Sequence, residues 1–507
     1  MLLAGRPMLA ANEPAVVAGK AASISYTRLL RVLDVAVLGS LATLVLFTVS
    51  KHEPWADEAQ SWLLARDLGW WRLIFSELRY EGHPGVWHTI LWVAIHIFHV
   101  RYEMLGYLGG MFAIGGLAVL IFLAPFPRVL RYLIATSYFF VYQYAVIARS
   151  YELLPLLAFL AAYLFRKRTA SPVLFAMTLS LLAHVSIHGT VIALALGVPY
   201  GLRTWRRWPQ LATGARRRVT IAGLVFGVAL MFLVVVLYPP PDTVAMAEAG
   251  TFTFQQHAQK TLFGVAGSIC DFPLASLLVL ILACIWSYER GSLLVLIIGM
   301  CGTGLIYGFL RGAQHHQGLI LLSLVTGLWV GWPSPEEQAA LQGHSLYLHR
   351  IVLVTFIFVF AWQLRWSYTA IRNDWAGSYS GARDTAMFLK SVHADEAGCS
   401  GFLYWTVGVQ PYFPHNIFEN LGGPSAHAYI HNSVSYAEQI NNLRYSQLKS
   451  RFLVFSFAKR LAQVEPLIQL VNEHGYRLVY YANGSAFFKD RAGEPQLYLV
   501  FERVDPD

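Results

Sequence analysis

The sequence predicts a polytopic α-helical membrane protein of about eleven spans, followed by a soluble α/β domain on the outer face of the membrane. Of its 507 residues, 56% are hydrophobic and only 13% are charged, which is too apolar for a soluble protein. Apolar runs of near-membrane length recur up to about residue 368, and polar, turn-rich sequence follows them. We therefore expect a structureless cytoplasmic tail at 1–28, a transmembrane domain at 29–374 and an extracytoplasmic α/β domain at 375–507.

Charge and metal-ligating residues narrow the class of protein further. The formal net charge of +9 comes from arginines in short clusters between apolar runs, as in the cytoplasmic loops of membrane proteins. We therefore expect a lipid bilayer as partner and no nucleic acid.

His184 and His188 are one helical turn apart, a spacing that suits either a metal ion or a polar cavity. The four cysteines show no metal-binding spacing: Cys270, Cys284, Cys301 and Cys399.

The positions of arginines predict the topology. The first apolar run, at about 33–50, follows Arg28 and Arg31, so it enters from the cytoplasm and delivers Lys51 outside. The next run, 86–100, is short and carries polar residues on one helical face, so we place it flat in the interface. A crossing there would put all later arginine clusters outside, against the positive-inside rule. The remaining spans are expected near 103–124, 128–149, 151–165, 172–188, 189–202, 219–238, 272–288, 292–310, 318–332 and 350–368, which leaves the C-terminus outside.

The segment after residue 375 has the mixed pattern of an α/β domain. Apolar and β-branched residues predict four strands, bounded by turn residues, and two helices show an apolar stripe. The second helix ends at Gly475, a residue that favours helix C-termini. The strands are expected near 400–405, 452–457, 476–481 and 497–503, and the helices near 382–394 and 460–474.

The loop at 51–102 is dense in acids, histidines and tryptophans, and it holds an adjacent acidic pair, Asp57 and Glu58. A helix that begins at Ala56 would put both acids in its first turn, where the positive end of the helix dipole favours carboxylates. The pair can serve as ordinary capping acids in an interfacial loop or as the acids of an active site.

The order of these features resembles a known superfamily. A single first span, an outside loop with Asp57-Glu58-Ala59, and a Gly82-His83-Pro84 step into a Trp-rich apolar helix are similar to the GT-C glycosyltransferases. The likeness is greatest to the branch of protein O-mannosyltransferases and aminoarabinose transferases, and its motifs cover mainly residues 51–100. The resemblance implies an integral membrane enzyme, expected in a bacterial inner membrane with a periplasmic C-terminal domain. Such an enzyme passes a sugar from polyprenyl phosphate to an acceptor hydroxyl on the extracytoplasmic face.

This reaction needs a base for the acceptor hydroxyl and cations for the departing phosphate. The resemblance assigns Asp57 as the base. Glu58 is either its hydrogen-bonding partner or a ligand for a divalent cation, and the involvement of a metal stays open. Arg149 and Arg311, at outer span ends, are the predicted phosphate ligands, although arginines at span ends are also commonly snorkelling anchors.

Three further residues are predicted to contact the substrate. His83 belongs to the Gly-His-Pro step. Glu152 follows Arg149 by three residues, where the resembled branch usually has an aspartate. His315 follows Arg311 closely in a polar segment between two apolar runs.

Two other classes of protein fit the composition, namely a transporter or flippase for lipid-linked or polysaccharide substrates, and a non-catalytic anchor for the C-terminal domain. Transporters carry ionisable residues near mid-membrane and show internal repeats. Here the apolar runs are almost free of charge through their centres, the charged residues gather at outer ends, and no repeat is visible. This distribution favours the transferase. The sugar stays open, and the acceptor can be a glycan, a lipid or a protein.

Overall fold

The computed structural model describes residues 13–167, 171–243, 253–309, 312–421, 450–491 and 493–504. Most of these residues are helical, and one four-stranded sheet lies near the C-terminal end of the described chain. The α-helices before that sheet's domain are Glu13–Lys51, Ala56–Asp67, Trp70–Arg72, Leu78–Glu81, Val86–His96, Leu105–Leu123, Arg128–Thr136, Leu153–Arg166, Pro172–Ala183, Ile187–Arg206, Thr213–Leu237, Phe254–Ile269, Pro273–Glu289, Leu293–Phe309, Gln317–Gly331, Pro335–Ala339 and Gly343–Ala376.

Four helical segments among the described residues are long and apolar enough to cross a membrane: Arg28–Lys51, Tyr102–Leu123, Thr213–Leu237 and Gly343–Ala376. A crossing needs about 20 residues, because a helix rises about 1.5 Å per residue through about 30 Å of hydrocarbon. The pair Phe254–Ile269 and Pro273–Glu289 is bent by 77° and can form a fifth, broken span. The structure therefore supports a multi-pass membrane protein with four or five spans of sufficient length.

This number is smaller than the predicted eleven, because several predicted spans are short or broken helices. The run predicted at 128–149 divides into the helix Arg128–Thr136 and the π-helical turn Phe139–Gln143. The run at 318–332 forms the helix Gln317–Gly331, which is buried on nearly every side. A helix that is apolar all round is typical of a protein core as well as of a lipid-facing span. The structure therefore supports fewer full-length spans than apolar composition alone predicts.

Two further segments differ from the prediction. The first helix begins at Glu13, so residues 13–28, predicted as a structureless tail, are helical and continuous with the first span. The helix Phe254–Ile269 was not predicted, because most residues of its first two turns are polar. Thr253 caps this helix, since its hydroxyl accepts a hydrogen bond from the Gln256 N–H.

The helix Val86–His96, predicted to lie flat in the interface, is short for a membrane crossing. Its 11 residues reach about 16 Å, roughly half of the hydrocarbon thickness. It packs on the helix Ala56–Asp67 and the residues after it. The Trp92 indole donates to the Leu68 carbonyl at 3.2 Å, and the His96 ring lies 3.0 Å from the Ala65 carbonyl.

The sheet of the C-terminal domain has the order β1-β2-β4-β3. Strand β1 pairs with β2 in parallel, and β4 is antiparallel to both β2 and β3. Each strand overlaps its predicted range, and β3 continues five residues beyond it: β1 is Cys399–Phe402, β2 is Phe452–Phe457, β3 is Tyr476–Ala486 and β4 is Glu494–Arg503. The helices of this domain are Ala382–Ser391, Ala394–Ala397 and Glu465–Glu473. All four cysteines are free thiols.

The connection after β3 anchors the sheet on the membrane helices. The ammonium group of Lys489 is buried and donates to the Gly267 carbonyl at 2.5 Å and to the Asp271 carboxylate at 2.8 Å. It also lies 4.1 Å from the centre of the Trp366 ring. The domain is therefore held against the helical part, which brings its other loops close to the first loop of the chain.

Candidate functional site

The site is built on the helix Ala56–Asp67, which begins where the sequence predicts it. Trp55 is extended at the N-cap, and the Glu58 carboxylate accepts a hydrogen bond from the Trp55 N–H at 3.1 Å. The two acids of the first turn then face different surroundings. The Asp57 side chain is 19% exposed, whereas that of Glu58 is fully buried.

Asp57 uses both of its carboxylate oxygens. One accepts a hydrogen bond from Arg149 at 2.6 Å, and the other accepts from the Tyr404 hydroxyl at 2.9 Å. Tyr404 begins the 3-10 helix Tyr404–Tyr412 of the C-terminal domain, so the carboxylate bridges the two parts of the protein. Burial and the adjacent Asp57 charge raise the pKa of Tyr404 well above its usual value, so the phenol keeps its proton.

Arg149 stands between Asp57 and a histidine. Burial opposes its charge, but the neighbouring Asp57 outweighs burial, so the pKa of Arg149 lies above its usual value. The same guanidinium nitrogen that contacts Asp57 also lies 3.0 Å from Nε2 of His315. Burial, and the charge of Arg149, hold the pKa of His315 well below its usual range. His315 is therefore a neutral ring that accepts from arginine.

A histidine cluster surrounds Tyr151, two residues after Arg149. We define it as His83, His188, His315 and His316, whose ring centres lie 5.8, 6.4, 5.6 and 5.4 Å from that of Tyr151. Burial and the charge of Arg149 hold the pKa of His83 well below its usual value, so its ring is also neutral.

Metal binding at these histidines has no geometric support. Within the described ranges, no three His, Cys, Asp or Glu side chains are placed to share a metal ion. His184 and His188 also lie on different helices. His184 caps the helix Pro172–Ala183 and its ring lies 2.8 Å from the Ser180 carbonyl, while His188 belongs to Ile187–Arg206. The two rings therefore do not share the single helical turn that their spacing indicated.

Next to Asp57, three buried charged side chains form a hydrogen-bonded chain, in which His52 lies between Asp374 and Glu58. The His52 ring donates to Asp374 at 3.0 Å and to Glu58 at 3.2 Å. Burial alone lowers the pKa of an imidazole, but the two carboxylates outweigh it and raise the pKa of His52 to about 10. The second oxygen of Glu58 accepts from the Ala148 N–H at 2.7 Å. Glu58 therefore fixes the backbone beside Arg149, and its hydrogen bonds go to these groups rather than to Asp57.

Glu152 lies apart from this group of contacts. Its carboxyl is fully buried, and neither oxygen has a hydrogen-bond partner among the described residues. It packs against Gly109, where an added Cβ would lie 1.6 Å from a carboxyl oxygen. Burial raises the pKa of Glu152 well above its usual value, so the group is protonated.

The structure thus brings together Asp57, Arg149 and His315, with His83 in the adjacent cluster. Glu58 and Glu152 lie behind them in the protein interior. Arg311, the other predicted phosphate ligand, lies outside the described residues. Four residues of the site were not predicted from the sequence: His52, Tyr151, His316 and Asp374. Comparison of the chain with protein-family models finds no match, and comparison with curated proteins finds none either.

Proposed function

We propose that this protein is an integral membrane glycosyltransferase that moves a sugar from a polyprenyl-phosphate donor to an acceptor hydroxyl. The observation that carries the proposal is the placement of Asp57. Its partly exposed carboxylate lies next to the end of a membrane span, beside an arginine and under a tyrosine of a second domain. Sugar transfer from a lipid phosphate needs a base and a phosphate-binding cation in one site, and Asp57 and Arg149 lie 2.6 Å apart.

In the proposed reaction the acceptor oxygen attacks the anomeric carbon of the sugar, and the bond from that carbon to the phosphate oxygen breaks. The bonding electrons leave with the phosphate, which becomes a polyprenyl phosphate monoester. The acceptor proton passes to Asp57. Arg149 stabilises the charge that grows on the departing phosphate, since its planar donors can bind two oxygens at once. His83 and His315 offer further hydrogen bonds at the same position.

The ion pair between Asp57 and Arg149 suits a resting state. A carboxylate paired with arginine is a weak base, because the positive charge stabilises its ionised form. A donor phosphate competes with Asp57 for the Arg149 guanidinium. Once Arg149 turns to the phosphate, the Oδ2 atom of Asp57 is available to the acceptor hydroxyl. Binding of the donor therefore prepares the base.

The proposal places this site on the extracytoplasmic face of a bacterial inner membrane, with the N-terminus in the cytoplasm. Two of the long spans support a common side for the site. Arg28–Lys51 ends just before Asp57, and Gly343–Ala376 ends just before the C-terminal domain. Their ends meet where the Trp375 indole donates to the Thr48 hydroxyl at 3.1 Å. An impermeant thiol reagent is expected to label the exposed variant Lys459→Cys in intact spheroplasts. Labelling only after lysis contradicts this orientation.

The test of function compares polyprenyl-linked sugars and envelope glycans by mass spectrometry in cells with the gene, without it, and with Asp57→Asn. Glu103→Gln is the matched control, since Glu103 is about half exposed and pairs with Arg101 at 3.6 Å on the surface. We expect the glycan product to disappear without the gene and with Asp57→Asn, and to persist with Glu103→Gln. Full product with Asp57→Asn at normal protein level removes Asp57 from the mechanism.

A further inference from the structure

The hydrogen bonds of His316 fix the position of its proton. The Ala313 N–H donates to Nδ1 of His316 at 3.1 Å, so Nδ1 carries no hydrogen. Burial, and the nearby histidines, hold the pKa of His316 well below its usual range, so the ring is neutral. A neutral imidazole has one donor and one acceptor. The proton is therefore on Nε2, which lies 2.7 Å from the Tyr151 hydroxyl.

This arrangement decides the direction of the Tyr151 hydroxyl. Because Nε2 of His316 is the donor, the oxygen of Tyr151 is the acceptor, and its own hydrogen is directed elsewhere. Among the described residues, no protein group accepts that hydrogen. Burial raises the pKa of Tyr151 to about 12, so the hydroxyl keeps its proton. Tyr151 thus presents a hydrogen-bond donor at a site where its ring lies 5.2 Å from the Arg149 guanidinium.

The hydrogen bond from Arg149 fixes the position of the proton on His315 in the same way. Arg149 donates to Nε2 of His315 at 3.0 Å, so the single hydrogen of this neutral ring is on Nδ1. Arg149 has no acceptor lone pair. Besides the Asp57 carboxylate, which accepts from Arg149, this site presents three donors: the guanidinium, the Nδ1–H of His315 and the O–H of Tyr151. These three donors suit an anion that takes the place of the Asp57 carboxylate on Arg149.

We propose that Tyr151 is a further catalytic residue, which donates a hydrogen bond to the phosphate as it departs, and that His316 is the positioning residue that aims it. The inference rests on the proposed function. Tyr151 keeps its proton throughout the reaction. Its hydrogen bond strengthens as the phosphate oxygen gains the electrons of the broken carbon–oxygen bond, so it favours the transition state over the bound donor.

The first test is Tyr151→Phe, which removes only the hydroxyl. In reconstituted vesicles with polyprenyl-phosphate sugar isolated from the producing cells, we expect turnover to fall about 10²–10³-fold, as for loss of one donor from an oxyanion site. The KM for the donor should change little, because Arg149 still binds the ground-state phosphate. A variant with unchanged turnover overturns the proposal, and so does one in which only KM rises.

Two substitutions at His316 distinguish its role in orienting the Tyr151 hydroxyl from a role in packing alone. His316→Gln offers an oxygen to the Ala313 N–H and an amide hydrogen to Tyr151, so turnover should stay within about tenfold of the parent protein. His316→Leu fills a similar volume without either group, and turnover should fall as far as in Tyr151→Phe. Equal activity of the two His316 variants overturns the aiming role. This pair also decides the matter if Tyr151→Phe fails to fold.

The same vesicles distinguish failure of this inference from failure of the proposed function. Loss of transfer in Asp57→Asn together with normal transfer in Tyr151→Phe overturns the role of Tyr151 alone. Normal transfer in Asp57→Asn removes the proposed base, whatever Tyr151→Phe does.

Discussion

Glu58→Gln is expected to destabilise the protein strongly, because the buried Glu58 carboxylate accepts hydrogen bonds from His52, Trp55 and Ala148. A glutamine can still accept from the Ala148 N–H through its oxygen. Its amide nitrogen cannot accept from the Trp55 N–H or from the charged His52 ring. Each lost hydrogen bond to a charged group costs about 1.5–3 kcal/mol, so the free energy of unfolding should fall by about 3–5 kcal/mol.

The assay is unfolding of the purified protein in detergent, followed by tryptophan fluorescence across a denaturant series. Glu103→Gln is again the matched control, because it removes the same charge from a surface side chain that is 49% exposed. Such a surface change should stay within about 0.5 kcal/mol of the parent. A Glu58→Gln protein that is as stable as Glu103→Gln refutes the inference that Glu58 holds the backbone beside Arg149.

The pH dependence of unfolding provides a second readout of the same network. The pKa of His52 is raised from 6.5 to about 10, so its contribution is fully present below pH 6.5 and is lost as pH rises through 10. That difference corresponds to at most about 5 kcal/mol. Glu58→Gln should lose less stability between pH 7 and 10 than the parent. Identical pH profiles of the two proteins contradict a charged His52.

Three further substitutions are tested in the same unfolding assay. Gly109→Ala should lower the free energy of unfolding by about 1–3 kcal/mol, because the added Cβ would lie 1.6 Å from a carboxyl oxygen of Glu152. The control is Gly39→Ala, whose Cβ would have nothing within 4 Å. Equal stabilities of the two variants contradict this packing. Burial raises the pKa of Glu53 to about 7, so the free energy of unfolding should fall as pH rises from 4.5 through 7. Glu53→Gln should remove that fall in stability. An unchanged dependence of stability on pH refutes this role of Glu53. Lys489→Met should cost about 2–3 kcal/mol through lost hydrogen bonds, and unchanged stability argues against the anchor.

Local patterns of the sequence predicted the elements that depend on local forces. The start of the helix at Ala56 follows from the two acids at its positive end. The strand at 452–457 and the first part of the strand at 476–486 follow from apolar and β-branched residues between turn residues. The place of Asp57, partly exposed just after a long span, follows from the order of these segments.

The number of spans did not follow from the same patterns. An apolar helix can be buried against other helices or against lipid, and its composition is alike in both cases. Gln317–Gly331 illustrates the difficulty, because protein surrounds it on nearly every side. Distinguishing the two environments requires the positions of neighbouring helices, which hydropathy does not contain.

Local sequence patterns also could not predict which residues pair with each other in the buried chain. His52 and Asp374 lie 3.0 Å apart but are separated by 322 residues in the sequence. Their pairing depends on the last span lying against the first. Glu58 gave a signal only as one half of an acidic pair, so its buried position was not visible. For Tyr151 the available signal was its place two residues after Arg149, within a polar segment between apolar runs.

The most direct test of the role of Asp57 measures release of the lipid carrier in vesicles. The vesicles contain the purified protein, with polyprenyl-phosphate sugar and envelope acceptors isolated from the producing cells. The parent protein should convert the loaded carrier into free polyprenyl phosphate as the acceptor gains sugar. Asp57→Asn should leave the carrier loaded, although the protein still inserts and binds it. Release of free carrier by Asp57→Asn at the rate of the parent contradicts the assignment of Asp57 as the base.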